Sequence, residues 1–126
     1  MSHKGSCHCG AVAYQAEFET SSLIECNCSI CTTRGHLLVP VPAPKFQLLT
    51  DPTVLSGYSY GKKVITHYFC PTCGIGVYSS SGDPTRSIML NARTLEQFWE
   101  LSTHWERKTY NGKDRHPEFN PKHQNQ

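Results

Sequence analysis

Charged residues are scarce in this chain, and long apolar runs and basic clusters are missing. Asp, Glu, Lys and Arg make up 17% of the 126 residues, and the net charge is only +2. No apolar run approaches the roughly 20 residues of a membrane-spanning helix, and residues 1–5 contain no apolar signal segment. Lys and Arg are scattered rather than interleaved with aromatic residues, which argues against nucleic-acid binding. We therefore expect a cytoplasmic protein whose partners are neither membranes nor nucleic acids.

The composition favours short strands and loops. Nine glycines and eight prolines accompany the low charge, which is atypical of a helical bundle. Residue patterns predict strands at 11–18, 23–25, 36–41, 46–49, 77–80, 87–91 and 105–110, and a hairpin over 58–69. Pro40 and Pro42 are expected to confine their strand to a sheet edge. Helix is predicted only at 29–35, with Ser29 as N-cap, and at 95–99.

These patterns predict a mainly β fold of short antiparallel strands with little helix. Residues 1–116 are expected to form a single β domain, because no linker or internal repeat divides them. From residue 117 to residue 126 the chain is polar, and we expect a weakly ordered tail there.

Seven cysteines dominate the motifs, in two pairs and one group of three. The pairs are Cys7 with Cys9 and Cys70 with Cys73, together called the quartet, and the group of three, called the trio, is Cys26, Cys28 and Cys31. An odd number of cysteines cannot form a complete disulfide framework. In a protein without an export signal, moreover, the cysteine thiols are expected to stay reduced. Zn²⁺ prefers sulfur ligands at about 2.3 Å, and tight turns can aim closely spaced thiols at one ion. The spacing therefore predicts metal binding.

The flanking residues suggest how the thiols divide. Each pair is followed directly by glycine, as in zinc-binding turns, and two such turns could close a structural four-cysteine site. The trio would then hold a second metal with one open position, as in catalytic zinc sites. In one alternative, a pair and part of the trio form a single site, leaving spare thiols as buried apolar groups. In another, His8, His36 or His67 completes the trio, and only His36 is expected to lie near it.

Several segments resemble the glutathione-dependent formaldehyde-activating enzyme family, which includes proteins similar to centromere protein V. They are residues 6–14, 26–31, 69–74 and 87–95, with a weaker similarity at 110–114. The resemblance implies a zinc-bearing β fold and carbon–sulfur lyase activity of the S-hydroxymethylglutathione synthase type. It implies two zinc ions per chain. The structural ion is held by Cys7, Cys9, Cys70 and Cys73, and the catalytic ion by Cys26, Cys28 and Cys31.

An open zinc position at the trio suits a thiol partner, glutathione or a similar molecule, and an aldehyde. The bound thiolate could add to formaldehyde to form an S-hydroxymethyl adduct, or the same bond could be cleaved. Three cysteinates leave such a zinc site with a net charge of about −1, which favours a soft thiol over water activation. Side chains that could contact the substrate are the cations Arg34, Lys62, Lys63, Arg86 and Arg93 and the aromatic residues Tyr58, Tyr60, Tyr68 and Trp99. The alternative is a non-enzymatic zinc module that binds other proteins, and a homodimer is left open.

Overall fold

The structure, a computed structural model, describes residues 2–116. Within this range the ten strands are β1 (Ser2–Ser6), β2 (Ala13–Glu17), β3 (Ser22–Cys26), β4 (Leu38–Pro42), β5 (Phe46–Leu48), β6 (Ser56–Tyr58), β7 (Thr66–Phe69), β8 (Gly76–Ser80), β9 (Ser87–Asn91) and β10 (Glu106–Tyr110). The helices are α1 (Ser29–Arg34), α2 (Phe98–Ser102) and α3 (Gly112–Arg115). The predicted mainly β fold class is confirmed.

The strands form two sheets. One has the order β1-β2-β5, and the other has the order β10-β3-β4-β9-β8-β7-β6. Neighbouring strands are antiparallel except β10 and β3, which run parallel from Glu106 opposite Ser22 to Tyr110 opposite Cys26. Because parallel partners end at the same edge, the chain leaves β10 directly beside the trio.

The hydrophobic core joins the two sheets. Tyr14 of β2 belongs to the same buried cluster as Val39 and Val41 of β4. Phe46 of β5 packs between the sheets, with its ring centroid 5.4 Å from that of Tyr14 and 4.5 Å from that of Tyr78 on β8. Aromatic rings bury a large apolar area at such contacts, so Phe46 fixes one sheet against the other.

The prediction that Pro40 and Pro42 confine their strand to an edge is wrong, because β4 is the third strand of seven. Successive backbone groups on a strand point to opposite sides. The carbonyl of Leu37 accepts a hydrogen bond from the amide of Ala92, so the backbone groups of Leu37 point towards β9. Those of Pro40 and Pro42, which lie an odd number of residues further along, therefore point to the opposite side, towards β3. There β3 pairs with β4 only at Leu38, and the missing proline amides interrupt no ladder.

The predicted helices are found with shifted boundaries. Helix α1 lies where expected and ends at Gly35 (φ 70°), but Cys28 rather than Ser29 is its N-cap. The second helix begins at Phe98 instead of Leu95, because Leu95 forms an antiparallel β bridge with Gly5 and the amide of Glu96 donates to the carbonyl of Lys4. The predicted hairpin is formed by β6 and β7, which are joined by the wider loop 59–65.

No helix within residues 2–116 has the length and apolarity needed to cross a membrane. The tail predicted at 117–126 lies outside the described residues.

Candidate metal centres and the adjoining cavity

The quartet forms a compact sulfur cluster from two distant turns. All four sulfur atoms lie within 4.8 Å of one another. The Cys9 sulfur lies 3.7 Å from that of Cys7 and 3.6 Å from that of Cys70, although Cys9 and Cys70 are 61 positions apart. Sulfurs bound to tetrahedral zinc at about 2.3 Å would be about 3.8 Å apart, so this spacing fits zinc.

Local turn geometry aims the quartet inward. Gly10 and Gly74 follow the two pairs and have φ values of 85° and 79°, which favour glycine. The amide of Val12 donates to the Cys7 sulfur at 3.3 Å. Backbone amides, those of Cys9 and Ile75 first, lower the pKa of Cys73 to about 6. These amides therefore stabilise the thiolate form of Cys73, the form that binds metals.

The trio lies where β3 passes into α1. Its three sulfur atoms are also within 4.8 Å of one another, and the quartet and the trio form separate groups. A hydrogen bond from Cys31, followed by the backbone amide of Cys31, lowers the pKa of Cys28 to about 5. The same hydrogen bond and burial raise the pKa of Cys31. Cys28, at the N-cap of α1, is thus the thiol that most readily becomes a thiolate.

A late segment of the chain packs against the trio through Asn27. The Asn27 side chain donates to Asn111 Oδ1 at 3.0 Å, and its oxygen accepts from the amide of Lys113 at 2.8 Å. Between these anchors, a Cβ on Gly112 would lie only 2.6 Å from the Cys26 sulfur. Only glycine therefore fits without displacing a trio thiol. Sequence reasoning noted this segment as a resemblance and assigned no role to Gly112.

We expect Gly112→Ala to disrupt the trio while leaving the quartet intact. The added methyl group would push the Cys26 sulfur away, because the anchored backbone cannot easily move. The protein should remain folded but bind about one metal ion fewer per chain, measured by metal analysis after dialysis. Lys113→Ala is the matched control, since that exposed side chain can be removed without touching the trio. Full metal content in Gly112→Ala would contradict the assigned contact.

A cavity of about 410 Å³ opens beside the trio and is lined by all three of its thiols and by none of the quartet. Apolar side chains form much of its wall, among them Ile24, Leu38, Val64, Ile65 and Met89. Polar lining residues include Arg34, Tyr60, His67, Ser79 and Arg86. Because β3, β4, β7, β8 and β9 all contribute, the cavity depends on the large sheet.

A buried polar network forms one side of this cavity. His67 Nδ1 lies 2.7 Å from Ser79 Oγ and 3.5 Å from a terminal nitrogen of Arg34. Burial, with the charge of Arg34, lowers the pKa of His67 to about 4, so the ring is neutral at pH 7. Arginine can only donate hydrogen bonds, so Nδ1 accepts and the ring proton resides on Nε2.

Arg34 connects this network to the trio. Burial lowers the pKa of its guanidinium, whereas nearby Cys31 and Cys28 and a hydrogen bond with Cys31 favour the charged form. Its Nε is buried and has no hydrogen-bond partner among the described residues. A guanidinium stays protonated even when partly buried. Arg34 therefore supplies positive charge where the trio accumulates negative charge.

The histidines lie differently from the sequence-based expectation. His67, which was not expected near the trio, lines the cavity beside it. His36, expected nearest to the trio, contacts Gly76 instead, where an added Cβ would lie 2.6 Å from its ring. His8 and His36 line a second recess, together with Tyr58 and Arg93, and this recess shares Ile30, Arg34 and His67 with the first. Within residues 2–116 the groups able to hold a metal contain cysteine alone.

The suggested substrate contacts are only partly assembled. Of the five cations, Arg34 and Arg86 line the cavity, whereas Lys62, Lys63 and Arg93 do not. The Arg93 guanidinium instead lies 5.1 Å from the centroid of the Phe98 ring. Of the four aromatic residues, only Tyr60 lines this cavity. Tyr58 stacks on Tyr60, Tyr68 stacks on Tyr78, and Trp99 is exposed near Arg93.

Ser79 is a site residue that sequence reasoning missed, and His67 was considered there only as a possible metal ligand of the trio. They come from β7 and β8, which pair so that His67 lies directly opposite Ser79. The strand pattern could have predicted this pairing once the hairpin turns were known, but no local motif marks either residue as functional.

The fold and the thiols define a small, mainly β protein with two cysteine clusters compatible with zinc binding. A family sequence model described as glutathione-dependent formaldehyde-activating enzyme matches residues 2–112. The chain belongs to this family. It is also similar to a crystal structure of a Rhodobacter sphaeroides protein solved as a structural genomics target, with a TM-score of 0.70 and 27% sequence identity. The alignment covers 83% of this chain and 99% of that one.

Proposed function

We propose that the protein is a zinc-dependent carbon–sulfur lyase that forms or cleaves the S-hydroxymethyl adduct of a thiol and formaldehyde at the trio. The observation that carries this proposal is the cavity lined by all three trio thiols and by no quartet thiol. A ligand in that cavity can reach the trio, whereas the quartet suits a structural ion. Family membership supports the same reaction class. The reduced thiols suit a cytoplasmic location.

The donor set fits zinc, with three converging sulfurs and space for a fourth ligand on the cavity side. Zinc bound to the trio would stabilise the thiolate of a substrate thiol at an open position. Arg34 offsets the negative charge of the three cysteinates, which otherwise disfavours an anionic ligand. The apolar wall limits water around the reacting sulfur.

The reaction requires no redox change. A sulfur lone pair forms the C–S bond, the carbonyl π electrons move to oxygen, and the proton lost by the thiol ends on that oxygen. His67 is the lining residue suited to assist, because it is neutral and can donate a hydrogen bond from Nε2 to the developing oxyanion. In the reverse direction the hydroxyl proton returns to sulfur as the C–S bond breaks.

The test is the rate at which formaldehyde and a thiol equilibrate with their adduct, followed by NMR exchange. Zinc-loaded protein should raise this rate above the spontaneous one in proportion to protein concentration, with glutathione and several smaller thiols examined separately. A rate no greater than the spontaneous one for every thiol would reject the lyase proposal. It would favour the alternative, a zinc module that binds other proteins.

A further inference from the structure

Apart from the trio thiols, the charged side chains lining the cavity are cationic among the described residues. Arg34 and Arg86 contribute guanidinium groups, and the remaining polar lining is hydroxyl, thiol and imidazole. No Asp or Glu within residues 2–116 belongs to the lining. Clefts lined by one sign of charge favour ligands of the opposite sign.

The two arginines occupy different environments. Arg34 is half-buried and hydrogen-bonded with Cys31, whereas Arg86 is exposed just before β9. The acidic residue nearest in sequence to Arg86 is Asp83, whose pKa is lowered by two hydrogen bonds from Thr85 and, to a lesser extent, by the charge of Arg86. No ion pair of Arg86 within 4 Å occurs among the described residues, so its guanidinium remains available to a ligand carboxylate.

The wall contributed by Ile24, Leu38, Val64, Ile65 and Met89 is apolar. A ligand spanning the cavity therefore places an uncharged carbon skeleton against this wall. The volume of about 410 Å³ is near the lower end for small-molecule sites, which favours a short molecule.

These features match glutathione incompletely. Glutathione carries two carboxylates but also an α-ammonium group, and the described lining offers no carboxylate for that cation. Placing an ammonium group in a partly desolvated site beside arginines costs free energy, because no lining carboxylate compensates its lost hydration and the trio is occupied by the thiol end of the ligand.

We propose that the cavity takes a short mercaptocarboxylate, a thiol with a carboxylate, an apolar skeleton and no ammonium group. This inference rests on the proposed function, because the thiol must reach the trio while its carboxylate contacts Arg86. The carboxylate neutralises the outer cation, and the thiolate is stabilised near Arg34.

The experiment measures thiol affinity from the sulfur-to-cobalt charge-transfer absorption of Co²⁺-substituted protein, a readout independent of turnover. The probes are 3-mercaptopropionate, its uncharged amide, cysteamine and glutathione, each corrected for its thiol pKa. We expect 3-mercaptopropionate to bind roughly 2- to 5-fold more tightly than the amide, the range expected for an exposed ion pair. Cysteamine should bind most weakly, and glutathione should bind less tightly than 3-mercaptopropionate.

Arg86→Gln should remove the preference for 3-mercaptopropionate over the amide. Lys62→Gln, the matched control at an exposed cation outside the lining, should retain it. Equal affinity for all thiols, or tighter binding of glutathione, would overturn the mercaptocarboxylate inference while leaving the proposed function standing. No spectral response to any thiol would overturn both.

Discussion

Cys70→Ser is expected to unfold the protein at temperatures where the natural sequence stays folded, whereas Cys28→Ser should leave it folded. Cys70 and Cys7 are 0% and 2% exposed and belong to the hydrophobic core cluster. Metal-binding free energy at such a site is also folding free energy, because the unfolded chain cannot preform the site. The quartet additionally joins turns 61 positions apart, which restricts the unfolded chain when metal is bound.

The trio substitution should be mild for a separate reason. Cys28 is the N-cap of α1, and serine is a favoured N-cap residue. Thermal unfolding followed by circular dichroism, with metal analysis of each variant, provides the measurement. Cys70→Ser should lower the melting temperature by on the order of 10 °C or more. Cys28→Ser should shift it by only a few degrees and lose about one zinc ion per chain. Similar destabilisation by both substitutions would contradict the division into structural and functional centres.

Cys28→Ser should also abolish catalysis of the thiol–formaldehyde reaction, because it removes the most acidic thiol of the trio.

In the natural sequence, the fourth position of a trio-bound metal should be free of protein ligands. The quartet thiols form their own cluster, and His67 Nδ1 already contacts Ser79 and Arg34. X-ray absorption should detect three sulfur scatterers and one lighter atom at this centre, then four sulfurs after a thiol is added. Affinity for the thiol should fall at low pH, because protons compete for the incoming and resident thiolates.

Quartet and trio signals must be separated in this measurement. A protein loaded with zinc at the quartet and Co²⁺ at the trio allows the cobalt edge to report on the trio alone. His67→Ala is an informative control, since His67 is one of the two histidines, with His116, that line the cavity, and His36→Ala serves as the matched variant outside it. A cobalt spectrum unchanged by saturating thiol in the natural protein and in both variants would show that the position is closed. The proposed mechanism would then be wrong.

Local chemistry was readable from the sequence because it depends on neighbouring residues. The C-x-C and C-x-x-C turns followed by Gly10 and Gly74 need only a few residues and a positive φ to aim their thiols. The end of α1 could be predicted for the same reason, because it depends only on the left-handed backbone conformation of Gly35 at the C-cap. Most strands were also located correctly, because side-chain alternation and turn residues mark them.

Strand neighbours and the cavity could not be read in this way. Pro40 and Pro42 indicated an edge strand, but the limited pairing of β3 with β4 lets an interior strand tolerate them. His67 joined the trio's cavity through its pairing opposite Ser79, a relationship between strands that sequence spacing does not encode. Gly112 is a site residue only because β10 returns parallel to β3.

The sequence by itself determined the family, the mainly β class and the presence of closely spaced thiols, since composition and short-range spacing carry that information. Only the tertiary structure decided that the quartet closes across 61 positions and that a cationic, partly apolar cavity opens on the trio. Long-range contacts form when several strands bury their apolar faces together, so they depend on the whole core rather than on any motif. The side chains of Arg34, His67 and Arg86 acquire their roles from that assembly.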